Sequence, residues 1–264
     1  MGLFTPYTFT GQQVTLRPDP FSSFLNFASP GVAFPQIGMR NAWDDISNQI
    51  RNTPTPITNN TQTGTVFSTA ISGSQFLNTG TYRQATVTGP GVAAFVNTGS
   101  LELRPNGTNN FVIEAWVRFT SYAASQRWLF AQYQYASAPN TSIYWFTTGT
   151  STTAGYAAVG GSEYAIVPGT TNLPAVNTWG HIVLQRSGNV FTTYLDGVQK
   201  STTTFNISIN SPTTNVRYLG HPTTNHAQGV LFNDWRFYKG VAKYTAGTNG
   251  VKYFEPPSSM VIAP

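Results

Sequence analysis

The run from 179 to 204, WGHIVLQRSGNVFTTYLDGVQKSTTT, constrains the fold more than any other part of the chain. Residues 181–186, 190–195 and 198–204 are rich in β-branched and aromatic residues, and Ser187-Gly188-Asn189 and Asp196-Gly197 separate them. An Asp-Gly pair accepts the positive φ angles of a two-residue hairpin turn, so the three segments read as successive antiparallel strands. Further short strands are expected at 111–119, 128–135, 142–147, 216–220 and 229–237, with almost nothing helical among them. So many strands can each bury one face only by stacking in two layers. This predicts an all-β fold, an antiparallel jelly-roll β-sandwich.

Residues 1–65 follow no such pattern. Pro6, Pro18, Pro20, Pro30, Pro35, Pro54 and Pro56 interrupt short apolar bursts that fit neither a period of 2 nor one of 3.6. The segment reads as an extended N-terminal arm ending in the linker TPTPITNNTQTGT, with the sandwich occupying 66–264. One short helix is expected over 41–51, where Trp43, Ile46 and Ile50 share a face, Asp44 and Asp45 stand near the start and Arg51 at the end. Phe4, Tyr7, Phe9, Phe21, Phe24, Phe27 and Phe34 are too many aromatics for a solvated tail, and the prolines keep them from forming a core alone. These seven are the arm's expected partner-binding residues.

A chain of 264 residues with 40% hydrophobic and 14% aromatic residues has enough apolar surface to fold as one large domain with an appendage. Only 9% of residues are charged, against about 25% in ordinary domains, so Thr, Ser, Asn and Gln must cover the surface. The absence of cysteine excludes disulfides, thiolate metal sites and cysteine nucleophiles. The net charge of +5 is spread thinly, without the like-charge runs of a nucleic-acid arm, so no nucleic-acid partner is expected. No membrane association is expected either: no stretch of about 18 apolar residues exists, and the first residues lack both a leader's basic and apolar regions and, with Pro6, a myristoylation pattern. The sequons at Asn59, Asn106, Asn140 and Asn206 read as bare.

Several segments together resemble the concanavalin A-like lectin/glucanase superfamily, in particular its laminin-G-like domains. FVIEAWVRF at 111–119 resembles the family's early core strand, and TWGHIVLQRSGNVFTTYLDGVQ at 178–199 is similar to its W-x-H strand and Leu-Asp-Gly hairpin. YLG at 218–220, LFNDWRFYKGVAKYT at 231–245 and the later Phe254, Pro256 and Pro257 resemble its closing segments. The GVAKYT ending resembles the bacteriophage branch most. The resemblance therefore implies a non-enzymatic bacteriophage virion protein: the arm anchors it to capsid or tail proteins, and the sandwich acts as a capsid decoration, tail-fibre or host-adhesion module. It would be localised in the virion and oligomeric within the particle. The alternatives are a carbohydrate-binding lectin without a structural role and, third, a glycan-cleaving enzyme.

The residues themselves argue against catalysis. Glycanases of this superfamily place acid, nucleophile and orienting group on one strand, whereas Glu114 is the only acid in its strand. Glu114, Glu163, Asp196 and Asp234 lie far apart in sequence and are not expected to converge. His181 belongs to the W-x-H strand and is expected to be structural, while His221 and His226 lack the partners of a zinc site. No cofactor is expected. Calcium would draw on Asp196, Asp234, Asn233 and nearby carbonyls, but the Asp-Gly turn explains Asp196, and pairing with Arg236 or a strand-end cap explains Asp234. Tyr133, Tyr135, Tyr144, Trp145, Tyr156 and Tyr164 form the candidate set for a host-surface glycan, beside Gln132, Gln134 and Asn140, with about half of them expected in the core on strand alternation. Arg217, Arg236, Lys239, Lys243 and Lys252 read first as a solvated strand-loop face, and as the alternative a basic face for an acidic capsid surface or anionic glycans.

Overall fold

A computed structural model describes residues 7–9, 12–14, 20–29, 58–59, 67–71, 82–85, 94–96, 105–119, 127–132, 143–148, 152–159, 162–171, 173–209, 216–219 and 230–257. In chain order the strands are β1 (Tyr7–Phe9), β2 (Gln12–Val14), β3 (Leu25–Ser29), β4 (Thr58–Asn59), β5 (Phe67–Ile71), β6 (Tyr82–Ala85), β7 (Ala94–Val96), β8 (Phe111–Phe119) and β9 (Arg127–Gln132). They continue with β10 (Ile143–Thr148), β11 (Thr152–Val159), β12 (Ser162–Thr171), β13 (Trp179–Ser187), β14 (Val190–Leu195), β15 (Val198–Thr204), β16 (Val216–Leu219) and β17 (Val230–Lys239). A six-stranded sheet runs β15-β14-β13-β8-β17-β3 and a seven-stranded sheet runs β12-β11-β10-β9-β16-β7-β4. The pairings within both are antiparallel.

The expected sandwich follows from strand alternation. Phe111, Ile113, Ala115, Val117 and Phe119 of β8, with Ile182 and Leu184 of β13, form one core with Leu129, Ile143, Trp145, Ala157, Ile166 and Val167 of the other sheet. Burying each large apolar side chain contributes about 1.5–3 kcal/mol, so this shared layer holds the two sheets together. The Asp-Gly turn forms as the sequence predicts, with Asp196 at φ 52 and Gly197 at φ 78. Gly197 is required twice over, because a Cβ there would stand 1.8 Å from the Phe254 carbonyl oxygen.

Two strands of this core were not legible. β11 (TTAGYAAV) and β12 (SEYAIVPGTT) carry Ala, Gly and Pro, which lower strand propensity, yet burial of Ala157, Ile166 and Val167 draws them into the seven-stranded sheet. The arm is also partly built into the sandwich: β3 pairs with β17, setting Phe27 opposite Phe237, and β4 pairs with β7. The helix expected over 41–51 lies outside the described residues. The described helical element near the N-terminus is a single 3-10 turn, Ser22–Phe24.

A second apolar cluster covers the other face of the six-stranded sheet. Val112, Val183, Tyr194 and Tyr238 are buried there, and Phe21, Val241, Tyr244, Tyr253 and Phe254 pack against them. The segment 240–257 thus lies across this face. It also lines the β15 edge, where Gln199 N–H donates to the Val251 carbonyl and Gly250 N–H to that of Gln199. β8 is consequently buried on both sides.

Candidate functional site

The covered face of the six-stranded sheet concentrates the charged side chains. Register sets Arg236 of β17 opposite Glu114 of β8 after a bulge between Asn233 and Arg236, where Asp234 takes φ 49. The Arg236 guanidinium grips Asp234 with two nitrogens, Nε at 2.9 Å and Nη2 closer still, and its Nη1 lies 3.4 Å from Glu114 Oε1. Lys243 Nζ donates to Glu114 Oε1 at 2.8 Å and Tyr244 Oη donates to Oε2 at 2.5 Å. Two acids and two bases therefore meet in a neutral cluster beneath segment 240–257.

Neutralisation decides the protonation states. Burial alone would raise the Glu114 carboxyl, but Lys243, Arg236 and His181 outweigh it and bring the group from 4.5 down to about 2. Burial raises the Asp234 carboxyl even with Arg236 beside it, and the two-pronged guanidinium contact keeps that pair ionic. His181 is pushed from 6.5 down to about 3, first by burial and then by Arg236 and Lys243, with Glu114 opposing. Its Nδ1 is buried without a hydrogen-bond partner, and its ring lies against Trp116 and Phe254 at 5.4 and 6.1 Å. Its backbone is tied to the hairpin turn: His181 N–H donates to Asp196 Oδ1 at 2.8 Å, and Asp196 N–H returns a bond to the His181 carbonyl.

The expectation that the acids stay apart needs correction for one pair. Glu114 and Asp234 converge on one guanidinium, because β17 lies beside β8 in the sheet. They do so at 1% and 3% exposure, engaged by cations, so the arrangement is non-catalytic: neither can reach a sugar. Among the described residues no group of three or more His, Asp or Glu could hold a metal ion. No described helix is long and apolar enough to cross a membrane.

The seven-stranded sheet carries the aromatic candidates. Tyr144 of β10 stands directly opposite Tyr156 of β11, and Tyr156 opposite Ala165 of β12. Ala165 is exposed, whereas Ile143, Trp145, Ala157 and Ile166, which alternate with this row, are core residues. Trp145, at 1% exposure, is therefore corrected from a glycan-facing residue to a core residue. Tyr164 is half-buried and meets Phe205 edge-on at 5.7 Å. Tyr133 and Tyr135 lie outside the described residues.

The arm candidates scatter likewise. Phe21 packs into the second cluster, Phe24 is 41% exposed, and Phe27 lies in β3. Tyr7 and Phe9 lie in β1, paired with β2, and Phe4 and Phe34 fall outside the described residues.

A laminin G family model, described as the concanavalin A-like lectin/glucanases superfamily, matches residues 89–243. Among solved structures, the binding domain of botulinum neurotoxin serotype D is 12% identical, with a TM-score of 0.52 over 83% of this chain and 48% of that one. The binding domain of Paraclostridial mosquitocidal protein 1 is 11% identical, with a TM-score of 0.53 over 84% of this chain and 50% of that one. A botulinum neurotoxin type C structure, described as that of a toxin whose cell entry depends on interaction with two ganglioside molecules, is 10% identical, with a TM-score of 0.51 over 83% and 48%. The chain spans about half the length of these proteins, and at such identities the likeness is one of fold. A search of curated protein sequences finds no match.

These matches correct the expectation of a bacteriophage virion protein, together with its capsid-decoration and tail-fibre setting, its virion partners and its virion localisation. The fold is shared with the binding domains of botulinum neurotoxin serotype D and of the mosquitocidal protein. The GVAKYT ending that prompted the phage reading makes internal contacts: Val241 packs on the second cluster, Lys243 and Tyr244 bind Glu114, and the Thr245 carbonyl accepts from Tyr194 Oη.

Proposed function

Since the chain belongs to the concanavalin A-like lectin/glucanases superfamily, we propose that it is a non-catalytic, lectin-like domain that binds carbohydrate on the outside of cells. The observation that carries this reading is the direct cross-strand pairing of Tyr144 with Tyr156, in a row that ends at exposed Ala165. Residues in direct register share a face of the sheet, so the two tyrosines belong to the face turned away from the core. A tyrosine offers an apolar ring for the C–H face of a sugar and a hydroxyl for hydrogen bonding. The low charge and the abundance of Thr, Asn and Gly suit a surface that recognises neutral hydroxyl groups. The ganglioside dependence stated for the type C neurotoxin supports a glycan ligand for a domain of this fold. Within residues 1–65, β3 and β4 pair with β17 and β7, so these two strands support the sheets of the proposed binding domain.

A glycan array probed with the whole chain tests the reading. Binding is expected, and Tyr144→Ala with Tyr156→Ala should weaken it about tenfold or more while leaving the melting temperature within a few degrees. Equal binding by the double variant, or no binding to any arrayed glycan, would overturn it.

A further inference from the structure

The row through Tyr144 continues beyond the two tyrosines. Ala131 of β9 is in register with Tyr144, Arg217 of β16 with Ala131, and Phe95 of β7 with Arg217. Across the sheet the order is therefore Phe95, Arg217, Ala131, Tyr144, Tyr156, Ala165, one residue from each of six neighbouring strands. Direct register puts all of them on the face that exposed Ala165 marks. At about 4.8 Å per strand, Arg217 stands about 10 Å from Tyr144, with an alanine at the position between them.

From this juxtaposition we infer that the site takes an acidic glycan: a sugar whose ring is held at Tyr144 and Tyr156 and whose carboxylate or sulfate is held at Arg217. The inference rests on the carbohydrate-binding reading and narrows its ligand class. A guanidinium presents a planar fork of donors that matches a carboxylate or sulfate in two-pronged fashion, which a neutral sugar cannot use. The charge balance agrees. The chain carries +5 overall, and the cluster of Glu114, Asp234, Arg236 and Lys243 on the other sheet sums to zero, so the whole positive excess lies outside it. Glu163, an acid in the neighbouring register opposite Ala158, is on β12, four strands from Arg217. That is about 19 Å, more than twice the screening length of about 8 Å at physiological salt.

The probes are arrayed lactose, 3′-sialyllactose, 3′-sulfolactose, galactotetraose and tetragalacturonate, bound by the whole chain and by Arg217→Gln and Arg217→Lys. Wild type should prefer at least one charged sugar over its neutral parent by tenfold or more, and Arg217→Gln should remove that preference without changing the melting temperature. Arg217→Lys should retain part of it. Preference for sialyllactose and tetragalacturonate identifies a carboxylate site, and preference for sulfolactose a sulfate site. Equal binding of charged and neutral sugars, or a preference that survives Arg217→Gln, overturns the acidic assignment and leaves the carbohydrate reading standing. No binding to any of the five, with neutral glycans bound elsewhere on a wider array, also overturns the acidic assignment. No binding to any glycan overturns both.

Discussion

Lys243 Nζ donates a 2.8 Å hydrogen bond to Glu114 Oε1 across 129 positions of sequence, and both side chains are almost fully buried. The contact fastens segment 240–257 to the centre of the six-stranded sheet. Around it the Lys243 ammonium lies 3.9 Å from the ring centre of Tyr238, and Gln185 closes two bonds with the Tyr244 backbone. The segment is a second wall of the domain.

Removing one partner of a buried pair leaves the other charge unpaired, at about 3–5 kcal/mol. Glu114→Gln is therefore expected to lower unfolding stability by about that amount, read by urea titration. Combining it with Lys243→Met should recover part of the loss, because the stranded ammonium disappears too. A Glu114→Gln loss below about 1 kcal/mol would mean that water reaches the cluster.

Acid should destabilise the fold through two groups of the same sign. Glu114 falls from 4.5 to about 2 and His181 from 6.5 to about 3, so at these two groups the unfolded chain binds more protons than the folded one at acid pH, while Asp234, raised by burial, opposes them. Their contributions are complete above about pH 6.5. The His181 part declines as pH falls from 6.5 towards 3, and the Glu114 part from 4.5 towards 2. Thermal melts from pH 7.5 to 3 should show a continuous decline, and His181→Phe should flatten its upper half. An unchanged profile in that variant would assign the decline to other groups.

Gly197→Ala is expected to loosen segment 240–257 before the sandwich itself. The residue sits at φ 78, its added Cβ would meet the Phe254 carbonyl, and its own carbonyl accepts from Tyr253 N–H at 2.8 Å. A loss of more than about 1 kcal/mol is expected. Limited proteolysis should cut first within 240–257, and cleavage first in the β8 or β13 region would place the strain elsewhere.

The sequence made legible what rests on local signals. Asp196-Gly197 and the alternation in β8, β13, β14 and β15 placed four of the six strands of one sheet, and the order of segments placed the superfamily. What it hid is non-local. Nothing at Glu114 announces Lys243, and nothing at Asp234 announces the bulge that brings it to the same guanidinium as Glu114. β11 and β12 are held by packing rather than propensity, so the Tyr144–Tyr156 pairing could not be read without knowing that β11 lies beside β10. Trp145, one residue from Tyr144, faces the core for the reason that governs all strands: alternate positions point to opposite faces.

Hydroxyl-radical footprinting with and without a glycan selected from the array tests the carbohydrate-binding face most directly, because it reads oxidation of individual tyrosine side chains. Tyr144 and Tyr156 are expected to oxidise in the free protein and to be protected by the glycan, while buried Tyr194 and Tyr238 stay unreactive in both states. Protection that falls on Tyr244 and Tyr253 instead, with Tyr144 and Tyr156 unaffected, would contradict the assignment and move the site to the six-stranded sheet.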